Sequence, residues 1–269
     1  MCLVVLAFRA HPLYPLVVAA NRDEFLDRPA EAAAFWPGKG GLLAGRDARA
    51  GGTWLGLTRS GRFAALTNVR DPRSFDPSAP SRGALVVGFL EGGDAPIAHL
   101  ARLAAERVRR NGYNLLAGEA GRLAWLSNAG GGPREVGAGV HAVSNALLDT
   151  PWPKTRRSAA RLSAVLARGD RVDPEELFGL LADREPAPDA ELPDTGVGLA
   201  AERLLSPPFI AAPGYGTRSS TLLLVGRGGR ATFVERTFDA SFRPSGTRRF
   251  AVPFPGWNPP GESRPGTPS

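Results

Sequence analysis

Residues 2–8, Cys-Leu-Val-Val-Leu-Ala-Phe, and residues 16–21 are short apolar runs between polar breaks. Runs of that length, rich in Val, Leu and Phe, predict strands rather than helices. His11-Pro12 and Pro15 interrupt the chain between them. The two runs therefore predict a hairpin with Cys2 at one end and Asn21 at the other. Antiparallel pairing sets the end of the second strand beside the start of the first. The polar run Asn21-Arg22-Asp23-Glu24, which closes the second strand, is thus expected next to Cys2. A solvated strand end would give the same pattern.

Residues 25–49 lack periodicity and predict a loop-rich crossing segment. Residues 51–57 and 62–69 predict a second hairpin turning at Ser60-Gly61 and ending in Thr67-Asn68-Val69-Arg70. The Pro- and Ser-rich stretch 71–81 predicts a flexible loop. Helices are expected over 83–91 and 95–109. In the second, Ile97, Leu100, Leu103 and Val108 recur at roughly helical spacing, Asp94 is placed as N-cap, and His99 is expected at the surface or edge. Residues 114–117 and 122–127 predict a third hairpin. Residues 139–144 predict a strand that ends in Ser144-Asn145, with His141 in a structural role. Asp149-Thr150-Pro151-Trp152-Pro153 is expected to cap a helix over 154–168, and 174–182 predict another. The Pro-rich stretch 186–208 reads as a lid or excursion. Residues 215–225 and 230–238 predict the last hairpin. From 246 onward Pro, Gly and Arg predict a flexible tail, leaving one domain over 1–245 and a tail over 246–269.

Strands, helices, strands, helices and strands follow one another, with hairpins and no βαβ repeat. That order predicts the α+β class, with helices packed on antiparallel sheets. Two sheets sandwiched between helix layers accommodate all of it.

Composition narrows the function. Hydrophobic residues at 43% and charged residues at 22% are ordinary for a globular chain. No run of 18 apolar residues occurs, so no membrane span is expected, and the first strand has neither the basic flank nor the cleavage site of a signal peptide. One cysteine allows no internal disulfide and fits a reducing, cytoplasmic setting. The net charge is +7, and Lys39 and Lys154 are the only lysines among 33 Lys and Arg residues. The arginines are spread along the chain without a nucleic-acid motif, so the excess is read as solubility. Gly38-Lys39-Gly40-Gly41 lacks the spacing of a phosphate-binding loop. The three His are far apart, with no H-x-x-x-H, C-x-x-C or G-x-S-x-G, so neither a metal nor a cofactor is expected.

What remains is Cys2, Asn21 to Glu24, Asn68, Asn145 and Arg218, each near a strand end. Removal of the initiator Met is usual before a small residue. It would leave a free α-amine, with an ordinary pKa of about 8, on the same residue as a thiol. One residue then supplies both nucleophile and base. The alternative is that Cys2 is a small apolar residue on a buried strand.

Asn21-Arg22-Asp23-Glu24 with Arg28-Pro29 resembles the signature of the NRDE family, also called transport and Golgi organisation 2. Gly45-Arg46-Asp47, Gly51-Gly52-Thr53-Trp54-Leu55-Gly56, Thr67-Asn68-Val69-Arg70, Ser144-Asn145 and Asp149-Thr150-Pro151-Trp152-Pro153-Lys154 are similar to it in the same order, so the resemblance runs from residue 2 to about 225. It implies the four-layer αββα sandwich of N-terminal-nucleophile hydrolases, with the cholylglycine hydrolase and penicillin V acylase group as nearest analogue. In that group the Cys after the initiator Met is the nucleophile, an Arg and an Asp three residues apart orient it, Asn residues at strand ends help form an oxyanion hole, and a later Arg completes the site. The resemblance therefore implies Cys2 as nucleophile and base, Arg22 and Asp23 as orienting residues, Asn68 and Asn145 as oxyanion donors, and Arg218 as the late Arg. Asn21, Glu24, Arg70 and Trp54 are expected to contact substrate. One departure stands out: Arg22 and Asp23 are adjacent and so face opposite ways on a strand. The R-x-x-D spacing is instead taken by Asn21 and Glu24, so either the strand bulges or the roles are divided differently.

The implied activity is hydrolysis of a C–N amide bond in a small acylated substrate. Arg22, Arg70 and Arg218 around one cleft would favour an anionic or carboxylated one. The alternative implied by the resemblance is a carrier or chaperone for haem, lipid or acyl-CoA on the same scaffold, with Cys2 as a ligand or a relic. Eukaryotic members of the family are associated with such ligands and with secretory-pathway organisation. The expected partner is in either case a small molecule, haem or acyl-CoA among them, and not a nucleic acid.

Overall fold

The computed structural model describes residues 2–169 and 171–257. Alternation along the first hairpin sorts its side chains into two cores. On β1 (Cys2–Phe8) and β2 (Leu16–Phe25), the even-numbered Val4, Leu6, Phe8, Leu16, Val18 and Ala20 join one cluster, and Val5, Ala7, Val17 and Ala19 join another. A strand with both faces buried is apolar throughout, which is why these runs show no polar alternation.

The hairpin is central to a seven-stranded antiparallel sheet in the order β10 (Gly139–Val143), β1, β2, β12 (Tyr215–Gly226), β13 (Arg230–Phe238), β14 (Pro244–Pro253), with β11 (Ala211–Ala212) beside β12. A second seven-stranded antiparallel sheet runs in sequence order: β3 (Ala30–Phe35), β4 (Leu42–Asp47), β5 (Leu55–Thr58), β6 (Phe63–Asn68), β7 (Tyr113–Glu119), β8 (Arg122–Ser127) and β9 (Arg134–Glu135). The even-numbered face of the hairpin packs on Leu43, Leu55, Phe63, Leu116 and Trp125 of that second sheet. Behind the first sheet lie α3 (Pro153–Leu166) and α4 (Pro174–Leu181), through Leu162, Leu166, Leu177 and Leu181. Behind the second lie α1 (Gly83–Glu91) and α2 (Pro96–Ala105), through Phe89, Leu90, Leu100 and Leu103. The chain is thus α+β, a four-layer αββα sandwich of antiparallel sheets, as expected.

Several local expectations are corrected. Residues 25–49 are not a crossing loop: they contain β3 and β4, whose pairing is broken by an irregularity between Glu31 and Ala34. β3 is alanine-rich and β4 ends in Gly-Arg-Asp, so both carry little strand signal. Asp94 does not cap α2, which starts after Ala95 without a side-chain cap; its carboxylate pairs with Arg102 at 3.1 Å. His99 is buried, with its ring 5.2 Å from that of Phe89. The segment before α3 gives no side-chain cap either; instead the Thr155 hydroxyl donates to the carbonyls of Thr150 and Trp152. The excursion 186–208 contains α5 (Leu199–Leu205). The stretch expected to begin a flexible tail at 246 lies within β14, paired along β13. Phe250, Val252 and Phe254 then alternate into the inter-sheet core. Trp257 follows, stacked on Phe254, its Nε1 donating to Gly61 O at 2.8 Å. The rest of the expected tail, 258–269, lies outside the described residues, as does Met1. No helix among the described residues is long and apolar enough to cross a membrane.

Candidate active site

The pairing of β1 with β2 sets Cys2 directly opposite Arg22, within the polar cluster that the hairpin was expected to bring beside it. Residues opposite each other in an antiparallel pair share a face, so both side chains point between the sheets. The sheets splay here into a cavity of about 560 Å3. The first sheet contributes Cys2, Arg22, Asp23, Glu24 and Arg218 to its wall, and the second contributes Asp47 and Asn68. Trp54 and the loop that leads into α1 complete the rim.

Two features of the sequence hold that rim. A Cβ on Gly52 would sit 2.6 Å from the Gly83 carbonyl carbon. Only glycine lets residues 51–53 lie against the first turn of α1, and this brings Arg82 to the cavity. The loop expected to be flexible is pinned by Asn111, which receives the Asp76 N–H at 2.8 Å and donates to the Asp76 carbonyl at 2.8 Å.

Cys2 is 7% exposed, at the cavity wall. Burial pushes its thiol above the ordinary range and the Asp23 carboxylate adds to this, whereas the Arg22 guanidinium and the Asp23 backbone N–H pull it down. A thiol in that state keeps its proton until a base takes it. Its carbonyl is held by the Ser144 hydroxyl at 2.9 Å, which ties the start of β1 to the end of β10.

Arg22 lies 3.8 Å from both Glu24 Oε2 and Asp47 Oδ2, and its buried Nη1 has no hydrogen-bond partner among the described residues. Asp23 is turned to the other face of β2, where Thr217 Oγ1 donates to it at 2.7 Å, yet it still reaches the cavity wall. Burial raises its pKa, opposed by Lys154 and by the Thr217 bond. The bulge lies on the partner strand and not on β2, so Arg22 and Asp23 keep opposite faces: Thr217 pairs with Asp23 and Ser219 with Arg22, and Arg218 is the extra residue. Arg218 borders the cavity, but its Nη1 donates to the carbonyls of Phe25, Leu26 and Arg28, clamping the turn after β2.

Asn68 ends β6 on the cavity wall, and its side-chain amide makes no hydrogen bond among the described residues. Asn145 is not on the wall. Its Nδ2 donates to Asn68 O at 2.9 Å, and its Oδ1 receives the Ser144 hydroxyl at 3.1 Å and Lys154 Nζ at 3.4 Å. It anchors the end of β6 rather than facing a ligand. Arg70 also turns away. It pairs with buried Glu202, donates to Asn145 Oδ1 at 3.4 Å and lies over the Trp152 ring. Asn21 faces α4, with Nδ2 donating to the Leu181 and Pro208 carbonyls and Oδ1 receiving the Ser220 hydroxyl. Of the expected substrate contacts, Glu24 and Trp54 are at the cavity, and Asn21 and Arg70 are not.

Two residues at the site were not singled out in the sequence. Arg82 borders the cavity and gives one N–H to Gly112 O at 2.9 Å, with no ion pair among the described residues. Lys154 is buried in the first turn of α3 behind the wall, bonded to Asn145 Oδ1, and the charges of Asp23 and Cys2 act on it. Its rarity was the available signal. Among the described residues no group of His, Cys, Asp and Glu gathers as a metal site.

The family model described as Transport and Golgi organisation 2 matches residues 1–240. The Transport and Golgi organization protein 2 homolog of Bos taurus is 34% identical over 257 residues, which cover 88% of this chain and 93% of that one. The Homo sapiens homolog is 33% identical with the same coverage. Transport and Golgi organization protein 2 of Drosophila melanogaster is 27% identical over 266 residues, covering 88% and 92%. Among solved structures, the C2A mutant of conjugated bile acid hydrolase from Clostridium perfringens superposes with a TM-score of 0.54 at 9% identity, covering 92% of each chain. That last likeness is one of fold.

Proposed function

The chain belongs to the transport and Golgi organisation 2 family, and from that premise we propose that it is an amide hydrolase of N-terminal-nucleophile type, with Cys2 as nucleophile. Its fold is that of the N-terminal-nucleophile hydrolases. The observation that carries the reading is a lone thiol on the wall of a cavity of about 560 Å3, opposite a buried arginine, with Asn68 on the same wall and its amide unbonded among the described residues. That volume is in the range of pockets that take a small molecule, roughly 300–1,000 Å3.

The steps follow from the chemistry of the groups. Loss of Met1 frees the Cys2 α-amine, which is partly neutral near pH 7. The amine takes the thiol proton as Sγ forms a bond to the amide carbon. Negative charge moves to the carbonyl oxygen, where the Asn68 amide is a donor; one such donor is worth about 3–4 kcal/mol. Collapse breaks the C–N bond, the ammonium returns its proton to the leaving amine, and a thioester remains. Water, losing a proton to the amine, then releases the acid and restores the thiol. Buried Asp23 ties the end of β2 to Thr217 of β12, its backbone N–H and Arg22 both favouring the thiolate.

The anionic character of the substrate rests on Arg82 rather than Arg70. Of the five arginines on the cavity wall, Arg28 is 2.7 Å from Asp47, Arg22 is near two carboxylates, Arg218 is spent on carbonyls, and Arg46 lies over the Trp36 ring. Arg82 keeps N–H groups to offer a carboxylate, sulfonate or phosphate. The carrier reading has one observation in its favour: burial raises the Cys2 thiol, which leaves it inert unless a base is in reach.

The test is turnover of a panel of N-acyl amides. Cys2→Ser is expected to keep weak activity, because the same amine can activate a hydroxyl, and Cys2→Ala none. Hydrolysis that survives in Cys2→Ala, or no hydrolysis in any variant with ligand binding intact, goes against the reading.

A further inference from the structure

The chain holds two lysines against 31 arginines. Lys39 is an ordinary surface residue, 2.8 Å from Glu91. Lys154 is 2% exposed and makes no ion pair among the described residues. Its Nζ donates to Leu205 O at 3.1 Å and to Asn145 Oδ1 at 3.4 Å. Burying an ammonium without a carboxylate partner is unfavourable by several kcal/mol. In a chain that otherwise uses arginine, the choice of lysine here is informative. A guanidinium stays charged at any working pH, whereas a compact buried amine can lose its proton.

The placement is specific. The first turn of α3 comes to the strand ends from the helix layer. The charged and titratable groups whose fields reach Lys154 are Arg70 after β6, Asp23 of β2, Cys2 of β1 and Glu202 of α5, and Arg22, Asp23, Arg82 and Tyr215 also act on Cys2. Through Asn145 the ammonium is also linked to the carbonyl of Asn68, the proposed oxyanion donor. We propose that Lys154 is a positioning residue that sets, by its charge and its hold on Asn145, the pH at which Cys2 reacts. This rests on the reading of Cys2 as the reactive group.

The expected behaviour follows. While Lys154 is an ammonium it favours the Cys2 thiolate and the neutral α-amine, and it keeps Asn145 on Asn68. Burial, with Arg70 adding to it, lowers its pKa to about 8. As pH rises through that value the charge and its help are lost.

Iodoacetamide reads this without a substrate, because Cys2 is the only cysteine. The rate of Cys2 alkylation would be followed by intact mass across about pH 6 to 10 in wild type, Lys154→Met and Lys154→Arg. In Lys154→Met alkylation should be roughly tenfold slower near pH 7, the equivalent of about one pKa unit, and should meet the wild-type rate above about pH 8, where Lys154 has lost its charge. In Lys154→Arg the rate should match wild type near pH 7 and exceed it above about pH 8, because the guanidinium keeps its charge. A residue that only fills space would lower thermal stability in both variants and leave the pH profile of alkylation in place, which would overturn the proposal. So would a slowing near pH 7 in Lys154→Arg as large as in Lys154→Met. If Lys154→Met does not fold, Lys154→Arg decides alone: alkylation faster than wild type above about pH 8 supports the proposal, and an unchanged or slower rate there refutes it. Because alkylation is read apart from hydrolysis, this result stands or falls independently of the amide panel.

Discussion

Asn21 gives the sharpest test of how the site is divided between support and chemistry. In the sequence it heads the polar cluster beside Cys2; in the structure it is fully buried and bonded on the side of α4. In Asn21→Ala the carbonyls of Leu181 and Pro208 lose their donor, at 2.9 Å each, and the Ser220 hydroxyl loses its acceptor at 2.6 Å. Each buried polar group left without a partner costs about 1–3 kcal/mol. Three of them, with some relaxation, put the loss at about 4 kcal/mol, or a fall in Tm of roughly 8–16 °C for a chain of this size. Urea unfolding followed by tryptophan fluorescence would measure it, with an unchanged m-value showing that the transition is comparable. The folded variant should alkylate Cys2 at the wild-type rate. A variant within about 1 kcal/mol of wild type that has lost Cys2 reactivity or turnover would refute the assignment and return Asn21 to the substrate.

Trp257→Ala removes a 2% exposed ring, its stack on Phe254 and its bond to Gly61, and should lose about 3–5 kcal/mol by denaturant unfolding; a loss under about 1 kcal/mol would restore the segment to a tail. His141 and Asp149 form a pH-dependent pair at 2.8 Å. The hydrogen bond to Asp149 raises His141 above its ordinary value, so the stability this gives is complete below about pH 6.5 and is lost as pH rises through the raised pKa. Asp149, although burial opposes it, is lowered by His141 and the Ala142 N–H, so its share is present above about pH 4 and is lost in stronger acid. The stability difference between wild type and Asp149→Asn should therefore be largest near pH 5–6 and shrink by pH 9; asparagine also tolerates the positive φ of 63° there. A difference that grows with pH would contradict the pairing. Arg82→Gln should lower the ratio of iodoacetate to iodoacetamide rates at Cys2 by roughly fivefold, the ~1 kcal/mol of one nearby charge in water. An unchanged ratio would remove Arg82 from anion recognition.

The hairpin was readable because every link is local: two apolar runs, a proline break and antiparallel pairing put the 21–24 cluster beside Cys2, and the structure adds the register that sets Cys2 opposite Arg22. Strand ends also put Asn68 on the cavity wall. The same logic overreached at Asn145, Arg70 and Asn21. A strand-end position fixes the neighbourhood of a side chain, but its direction depends on a period of two and on what packs behind. Asn21 and Arg22 are adjacent and serve opposite faces. Arg70 is drawn off by Glu202, a residue 132 positions away on a segment with no periodic signal. Lys154 and Arg82 reach the site from helix starts, whose placement depends on packing; for Arg82 it depends on the space that Gly52 leaves beside Gly83. The C-terminal strand was hidden by its Pro, Gly and Arg content, which outweighed the alternation of Phe250, Val252 and Phe254. The β3–β4 pair was hidden by alanines that carry little strand preference.

The measurement that bears most directly on Cys2 as an N-terminal nucleophile is the intact mass of the native protein, taken alone and during turnover of an N-acyl amide. The account predicts a chain lacking Met1, a transient acyl adduct on Cys2 at one per chain, and no adduct in Cys2→Ala. Protein that retains Met1 in full and still hydrolyses the amide would contradict it, because the base proposed to activate the thiol would not exist.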